Sequence, residues 1–323
     1  MTTRSRTSRV LVTGATLLAV LAVLVTGGVL LLREIGPLSG DPPCTAEVGG
    51  TTVELDLEQA RYASTIAAVS VRRGLPARAA SIALATAYQE SKIVNVDYGD
   101  RDSLGLFQQR PSQGWGSPAE VQDPYYATNA FYAALEQVDG YADLPIDEAA
   151  QQVQRSADGS AYAPHEPNAR ALASALTGYS PAAFSCTVDP PETSGAAPDG
   201  EGLTPAAQAV RDEVRQAFGD LPEGGFAPEG VTTGHSEGSA HYEGRAVDFF
   251  LRPVSDVNTR RGWALAHFLV AQASRLSVET VIFDDRIWTA ARSGEGWRDY
   301  DEGDGSGDPA VLRHLDHVHV DVA

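Results

Sequence analysis

Two short segments near the C-terminus, SAHYEGRAVD and DHVH, concentrate side chains that bind metal ions. The first places His241 seven residues before Asp248, and the second places Asp316 three residues before His319. Six of the seven histidines lie in the C-terminal third of the chain. A hydrolytic zinc ion needs three protein ligands of these types and an open fourth position. The pattern therefore predicts a metal site formed by His241, Asp248 and His319.

Two strands must position these side chains. The sequences AVDFFL (residues 246–251) and DHVHVDV (residues 316–322) are typical of strands, and in the second one valines alternate with polar residues. A period of two places His317 and His319 on one face, with Asp316 on the other face or at the start of the strand. A base beside the metal would take a proton from water. We expect either His317 or Asp316 to be that base.

The first segment also has the form S-x-H-x-x-G-x-A-x-D, whose fixed positions are filled by Ser239, His241, Gly244, Ala246 and Asp248. This form resembles that of the D-alanyl-D-alanine carboxypeptidases and L-alanyl-D-glutamate endopeptidases, zinc peptidases of the lysostaphin and hedgehog group. The resemblance implies an α+β hedgehog-like domain, Zn2+ as cofactor, and His241, Asp248 and His319 as its ligands. In that family a D/E-x-x-H pattern makes Asp316 catalytic, whereas relatives with an H-x-H ending use the first histidine, here His317.

The first half of the chain has its own candidate, Glu90, at the end of the second of two predicted helices, residues 57–73 and 77–91. GLFQQRP begins fifteen residues after Glu90, and DPYYATNAFYAAL follows later. These segments resemble the lytic transglycosylases of the lysozyme superfamily. The resemblance implies a mainly α lysozyme-like domain with Glu90 as the only catalytic acid and Gln108 and Tyr162 as substrate-binding residues. The segment around Tyr162, VQRSADGSAYAPHEP, departs from the A-Y-N-A-G-like stretch of that family.

One glutamate suffices for a particular glycan cleavage. Glu90 would protonate the glycosidic oxygen and then, as carboxylate, deprotonate the 6-hydroxyl of the same sugar, which leaves a 1,6-anhydro end. A hydrolase normally needs a second carboxylate about 5 to 10 Å away. Asp97, Asp100 and Asp102 follow Glu90 and could supply it, so both reactions stay open.

The N-terminus contains 23 residues without a charge, residues 10–32, preceded by Arg4, Arg6 and Arg9. Such a stretch is long enough to span a bilayer, and the preceding arginines favour a cytoplasmic N-terminus. We expect an uncleaved single-pass anchor at the cell membrane, with the bulk of the protein extracellular. A cleavable signal peptide is the alternative, although the apolar stretch exceeds its usual length.

The two cysteines, Cys44 and Cys186, bracket much of the first half and are predicted to form a disulfide in an oxidising exterior. A segment rich in Pro, Gly and acidic residues follows, as in a flexible linker. The predicted organisation is a cytoplasmic stub and anchor (1–33), an extracellular linker (34–52), a lysozyme-like domain (53–186), a flexible linker (187–202) and a zinc peptidase-like domain (203–323).

Charge and composition limit which molecules the protein is expected to bind and indicate the type of genome that encodes it. The formal net charge of −19 argues against a nucleic acid partner, because nothing in the sequence forms a basic patch that would neutralise phosphates. Of the 24 basic residues only Lys92 is lysine, which is typical of a G+C-rich genome such as that of an actinomycete.

Together the two halves imply peptidoglycan as the substrate, with the membrane as a second partner through the N-terminal helix. The predicted fold class is multi-domain: a transmembrane helix, a mainly α domain and an α+β zinc domain. The predicted function is a membrane-anchored peptidoglycan-remodelling enzyme that cleaves stem peptides or cross-links and the glycan strand. The alternative is a catalytically inactive peptidoglycan-binding or wall-assembly accessory protein that retains both folds.

Overall fold

A computed structural model describes residues 43–156, 159–301 and 307–323. Residues 43–323 form one compact unit. The α-helices of the described residues are α1 (Leu57–Arg72), α2 (Ala77–Ser91), α3 (Pro118–Gln122), α4 (Pro124–Leu135), α5 (Ile146–Gln154), α6 (Glu166–Leu176), α7 (Pro205–Phe218), α8 (Asp256–Ala271), α9 (Ala273–Leu276) and α10 (Pro309–Leu312). The strands are β1 (Cys44–Val48), β2 (Thr51–Leu55), β3 (Phe184–Cys186), β4 (Glu223–Gly224), β5 (Ala246–Phe250), β6 (Val278–Phe283), β7 (Arg286–Thr289), β8 (Arg298–Asp299) and β9 (His317–Val322).

Helix α1 lies at the centre of this unit. It begins at a capping box, in which the Asp56 side chain accepts a hydrogen bond from the Gln59 amide and the Gln59 side chain accepts one from the Asp56 amide. Nearly every residue of its middle turns is buried. It packs against α2, α4 and α6 of the first half and against α7 and α8 of the second half. A helix buried on all sides therefore joins the two halves.

The first half also contains a three-stranded antiparallel sheet in the order β2-β1-β3. In its register Cys44 lies opposite Cys186, and these two cysteines form a disulfide. The predicted disulfide is confirmed. Strand β1 and the start of β2 lie within residues 34–52, the segment predicted to be a linker.

The second half is built on a six-stranded antiparallel sheet in the order β4-β5-β9-β6-β7-β8. Val318, Val320 and Val322 of β9 point into the core under α7 and α8. Because side chains alternate along a strand, His317 and His319 lie on the opposite face. One face of the sheet thus builds the core, and the other carries the polar residues.

The two halves share one hydrophobic core. The Trp297 indole donates to the Phe184 carbonyl at 2.8 Å, and His267 Nδ1 lies 2.9 Å from the Ala175 carbonyl oxygen. Residues 187–202 between the halves contain no helix or strand. This segment therefore links two halves that are already packed together.

The predicted fold class and location need correction. The described residues form a mixed α/β unit with two antiparallel sheets, one of which belongs to the first half, so that half is not a purely helical domain. The first half also packs on the second half through α1, so the two are not separate domains. None of the helices described is both long and apolar enough to cross a membrane, so the prediction of a membrane-spanning, single-pass protein is wrong over this part of the chain. The segment on which that prediction was based, residues 10–32, lies outside the described residues.

Candidate functional site

The motif S-x-H-x-x-G-x-A-x-D has a local structural cause. The Ser239 side chain accepts a hydrogen bond from the His241 amide and caps a 3-10 helix, Ala240–Glu243. Gly244 ends this helix at φ +67°, a conformation that favours glycine, and a Cβ there would lie 2.5 Å from a backbone oxygen. Strand β5 begins two residues later. The motif therefore presents His241 from the turn and Asp248 from the strand.

Strand register adds the third predicted ligand, because Asp248 lies directly opposite His319 in the β5 and β9 pair. The Nδ1 atom of His319 is 3.0 Å from Asp248 Oδ1 and 3.1 Å from His241 Nε2. His241 Nε2 is 3.3 Å from Asp248 Oδ1. In a tetrahedral zinc site with bonds of about 2.0 to 2.1 Å, ligand atoms are about 3.3 Å apart. The three donor atoms therefore have the spacing of three ligands to one ion.

The second ring nitrogen of each histidine has its own partner. His241 Nδ1 lies 2.8 Å from the Gly225 carbonyl oxygen, which can only accept, so this nitrogen carries the proton and Nε2 is free to bind a metal. His319 Nε2 lies 3.5 Å from Asp321 Oδ2. Metal-binding histidines usually donate their other ring N–H to a carbonyl or carboxylate. The residues present fit a bound zinc ion in this respect as well.

The electrostatics of the cluster favour a positive charge. Burial opposes ionisation of Asp248, but its contacts with the His241 and His319 rings outweigh this effect and hold the pKa of Asp248 well below its usual range. Burial likewise disfavours the charged form of His319, but Asp248 and Asp321 raise the pKa of His319 to about 9. A metal ion would supply the same positive charge in place of the proton.

Asp316 and His317 form a pair beside this cluster. His317 Nδ1 donates to Asp316 Oδ1 at 2.7 Å, and Arg252 Nε donates to the other oxygen of Asp316 at 2.6 Å. Burial raises the pKa of Asp316, but these two hydrogen bonds lower it on balance, so the carboxylate is ionised. His317 Nε2 lies 3.8 Å from Asp248 Oδ1. His317 thus faces the donor cluster, and Asp316 lies behind it at the start of β9.

Two further histidines lie at the site, although the motifs did not include them. The His235 ring stacks on His241 at 3.9 Å, and the His314 ring lies 4.6 Å from that of His317. Burial lowers the pKa of His235, and it lowers that of His314 to about 3, so both rings are neutral. One donor atom each from His235, His241 and Asp248 lie within 4.8 Å of one another, which forms a possible metal site. The clustering of histidines was the only sequence signal for these two residues.

The candidate residues of the first half lie at the end of α2. The Tyr162 hydroxyl donates to Glu90 Oε1 at 2.7 Å, and burial raises the pKa of Tyr162, so this donor keeps its proton. Gln108 is not joined to this pair: its amide donates to the carbonyl oxygens of Tyr98 and Gly105. The structure therefore brings Tyr162 to Glu90 and uses Gln108 to hold the neighbouring loop.

The carboxylates considered as partners of Glu90 differ in their surroundings. Asp102 accepts hydrogen bonds from the Ser112 amide at 2.7 Å and from Arg110 Nε at 2.8 Å, and these bonds lower its pKa strongly. Asp97 and Asp100 are exposed. Asp102 therefore holds the loop structure through both of its carboxylate oxygens.

Comparison with known proteins gives one partial match. Residues 199–310, about a third of the chain, match the family model described as VldE, C-terminal domain. The matched segment includes His241 and Asp248 and ends before Asp316 and His319. No curated protein matches the chain. The match gives no evidence for a peptidase or a lytic transglycosylase family, so the assignment to those two families stays a prediction.

Proposed function

We propose that the second half of the chain is a zinc-dependent peptidase that acts on the stem peptides or cross-links of peptidoglycan. The observation that carries the proposal is the triangle of donor atoms from His241, Asp248 and His319, with sides of 3.0 to 3.3 Å. A zinc ion bound there would supply Lewis acidity, polarising a peptide carbonyl and lowering the pKa of water.

The residues around the triangle have separate tasks in this proposal. His317 would take a proton from water at Nε2, since Nδ1 is occupied by its bond to Asp316. The ionised Asp316 orients the ring and stabilises its protonated form, and Arg252 fixes Asp316. In this arrangement the H-x-H interpretation makes His317 the base and gives Asp316 a positioning role.

The test uses the full chain and purified peptidoglycan. We expect about one equivalent of zinc per chain, release of peptide fragments identified by mass spectrometry, and loss of both on treatment with a chelator. His241→Ala and His319→Ala should abolish zinc binding, because each removes one of three ligands. His165→Ala, in the first half, is the matched control and should keep the zinc.

A chain that binds no zinc at micromolar concentration and neutral pH would sink the peptidase proposal. Retention on peptidoglycan without any cleavage would then favour the accessory protein that binds the wall.

A second activity is supported by the contact between Tyr162 and Glu90. We propose that Glu90 is the acid and base of a glycan cleavage, with the Tyr162 hydroxyl orienting its carboxyl group. Glu90→Gln keeps the shape of the side chain and removes its proton, so the release of anhydro-muropeptides should cease while zinc binding is unchanged. In the unchanged chain, the glycan cleavage should persist in the presence of a chelator.

Unchanged release of anhydro products by Glu90→Gln would remove Glu90 from the mechanism. Products with reducing ends would indicate hydrolysis and direct attention to Asp97, Asp100 and Asp102.

A further inference from the structure

The loop before the 3-10 helix carries one residue whose setting differs from that of its neighbours. Residues 232–238 are exposed except for His235, which is half-buried. Gly234 and Gly238 of this loop, and Gly230 just before it, have positive φ and open space around them. The loop is thus rich in glycine and loosely surrounded, and His235 is its point of contact with the site.

Tyr242 holds the backbone of the loop at that point. Its hydroxyl donates to the His235 carbonyl oxygen at 2.6 Å and lies 3.1 Å from the His235 amide nitrogen, which donates to it. Tyr242 follows His241 in the 3-10 helix of the motif. These two hydrogen bonds, called the Tyr242 clamp below, therefore fix the position of His235 relative to the turn that presents His241, a proposed zinc ligand.

The imidazole of His235 lies beside the donor triangle. Its ring stacks on that of His241 at 3.9 Å, and one of its nitrogens lies within 4.8 Å of donor atoms of both His241 and Asp248. No hydrogen bond from this ring is found among the described residues. Two sets of three donors, one with His235 and one with His319, therefore share His241 and Asp248.

We infer that His235 is a fourth protein ligand, which closes the zinc site in a resting state and leaves when the substrate arrives. This inference rests on the proposed peptidase function. Zinc sites with four protein ligands are closed and structural, whereas catalytic sites keep one position open. The fourth position is the one that a peptide carbonyl needs, so His235 and the substrate compete for it.

The experiment measures metal coordination as well as activity, in the full chain and in His235→Ala. With cobalt(II) replacing zinc, the visible spectrum reports which groups bind the ion. In His235→Ala a water molecule would take the fourth position, so we expect its spectrum to be shifted and to change further when azide is added, whereas the spectrum of the unchanged chain should not respond to azide. Zinc affinity should fall at least as much as on loss of an outer-shell partner, roughly 10- to 100-fold. Cleavage of peptidoglycan at saturating zinc should rise.

Two variants serve as controls. Tyr242→Phe removes the Tyr242 clamp but keeps His235. It should therefore change the cobalt spectrum and the zinc affinity in the same direction as His235→Ala, but by a smaller amount. Ser236→Ala changes an exposed neighbour in the same loop and should leave both unchanged.

The possible failures are distinguishable. If the unchanged chain binds no metal, the proposed function itself fails. If it binds metal but His235→Ala has the same affinity and cobalt spectrum, only the inference about His235 is wrong. If His235→Ala loses metal and cleavage together, His235 is an essential ligand and the resting closure is overturned.

Discussion

At the scale of the residue, the candidate site separates the three donor side chains, proposed as zinc ligands, from the pair proposed to act on the substrate. His241, Asp248 and His319 point their donor atoms at one another, whereas Asp316 points away and holds the ring of His317. A residue that holds the ion and a residue that moves a proton should respond differently to substitution.

We expect His317→Ala to retain one equivalent of zinc and to lose cleavage by about 100- to 10,000-fold, the usual contribution of general base catalysis. Asp316→Asn keeps the shape but not the charge, so its loss should be smaller, about 10- to 100-fold. Metal content and cleavage rate, measured on the same samples, check both. A larger loss in Asp316→Asn than in His317→Ala would make Asp316 the base instead.

His267, in the shared core, gives a prediction about pH. Burial lowers the pKa of His267 to about 4, against about 6.5 in an unfolded chain. The folded state therefore resists protonation, and the stability that the neutral ring contributes is complete above pH 6.5 and is lost as pH falls toward 4.

Between pH 7 and pH 5 this group alone should reduce the free energy of unfolding by about 2 kcal/mol. His267→Asn retains a donor for the Ala175 carbonyl and does not titrate. Denaturant unfolding at both pH values should show a weaker pH dependence in His267→Asn than in the unchanged chain. Equal dependence in the two proteins would contradict a neutral buried His267.

At the scale of the element, the site depends on how a turn meets a strand. The register of β5 and β9 sets Asp248 opposite His319, and the chain after β4 brings the Gly225 carbonyl to His241. Gly225 has φ +83°, and a Cβ there would lie 2.3 Å from Cε1 of the His241 ring. The absence of a side chain at this position is therefore a condition for the ring's orientation.

Gly225→Ala should displace the His241 ring and lower zinc affinity by roughly tenfold or more. Gly230→Ala is the matched control, because its φ of +80° is nearly the same and nothing lies within 4 Å of its Cβ position. Both substitutions carry a backbone cost of about 1 to 2 kcal/mol in this conformation. Only Gly225→Ala should change zinc affinity in a titration, and equal affinities would contradict the steric argument.

At the scale of the whole molecule, residues 43–323 are one unit although the sequence suggests two domains and a linker. Helix α1 packs on helices of both halves, and Gln272 of the second half donates to the Arg61 carbonyl in α1. The disulfide lies within the first half and does not connect the halves. Among the described residues, side-chain packing and hydrogen bonds hold the two halves together.

Cleavage of the chain between the halves should therefore leave them associated. A protease recognition sequence inserted after Ser194 lies in a stretch that is exposed and without helix or strand. We expect the two fragments to co-elute in gel filtration under native conditions and to separate in denaturant. The chain without the inserted sequence, treated in the same way, is the control. Separation under native conditions would show that the halves are independent.

Local interactions are what the sequence by itself determined. The break at Gly74 separates α1 from α2, and the alternation in HVHVDV marks β9. Each depends on residues close in the chain, so composition and spacing were sufficient to predict them. The disulfide was predictable too, since only two cysteines are present.

Only the tertiary structure decided which of these elements meet. It showed that Asp316 is the partner of His317, that His235 stacks on His241, and that α1 belongs to both halves. These contacts depend on strand register, on the path of a glycine-rich loop and on the fit of side chains from distant segments. No periodicity in the sequence encodes such contacts, because their energy depends on positions in space that the whole fold sets at once.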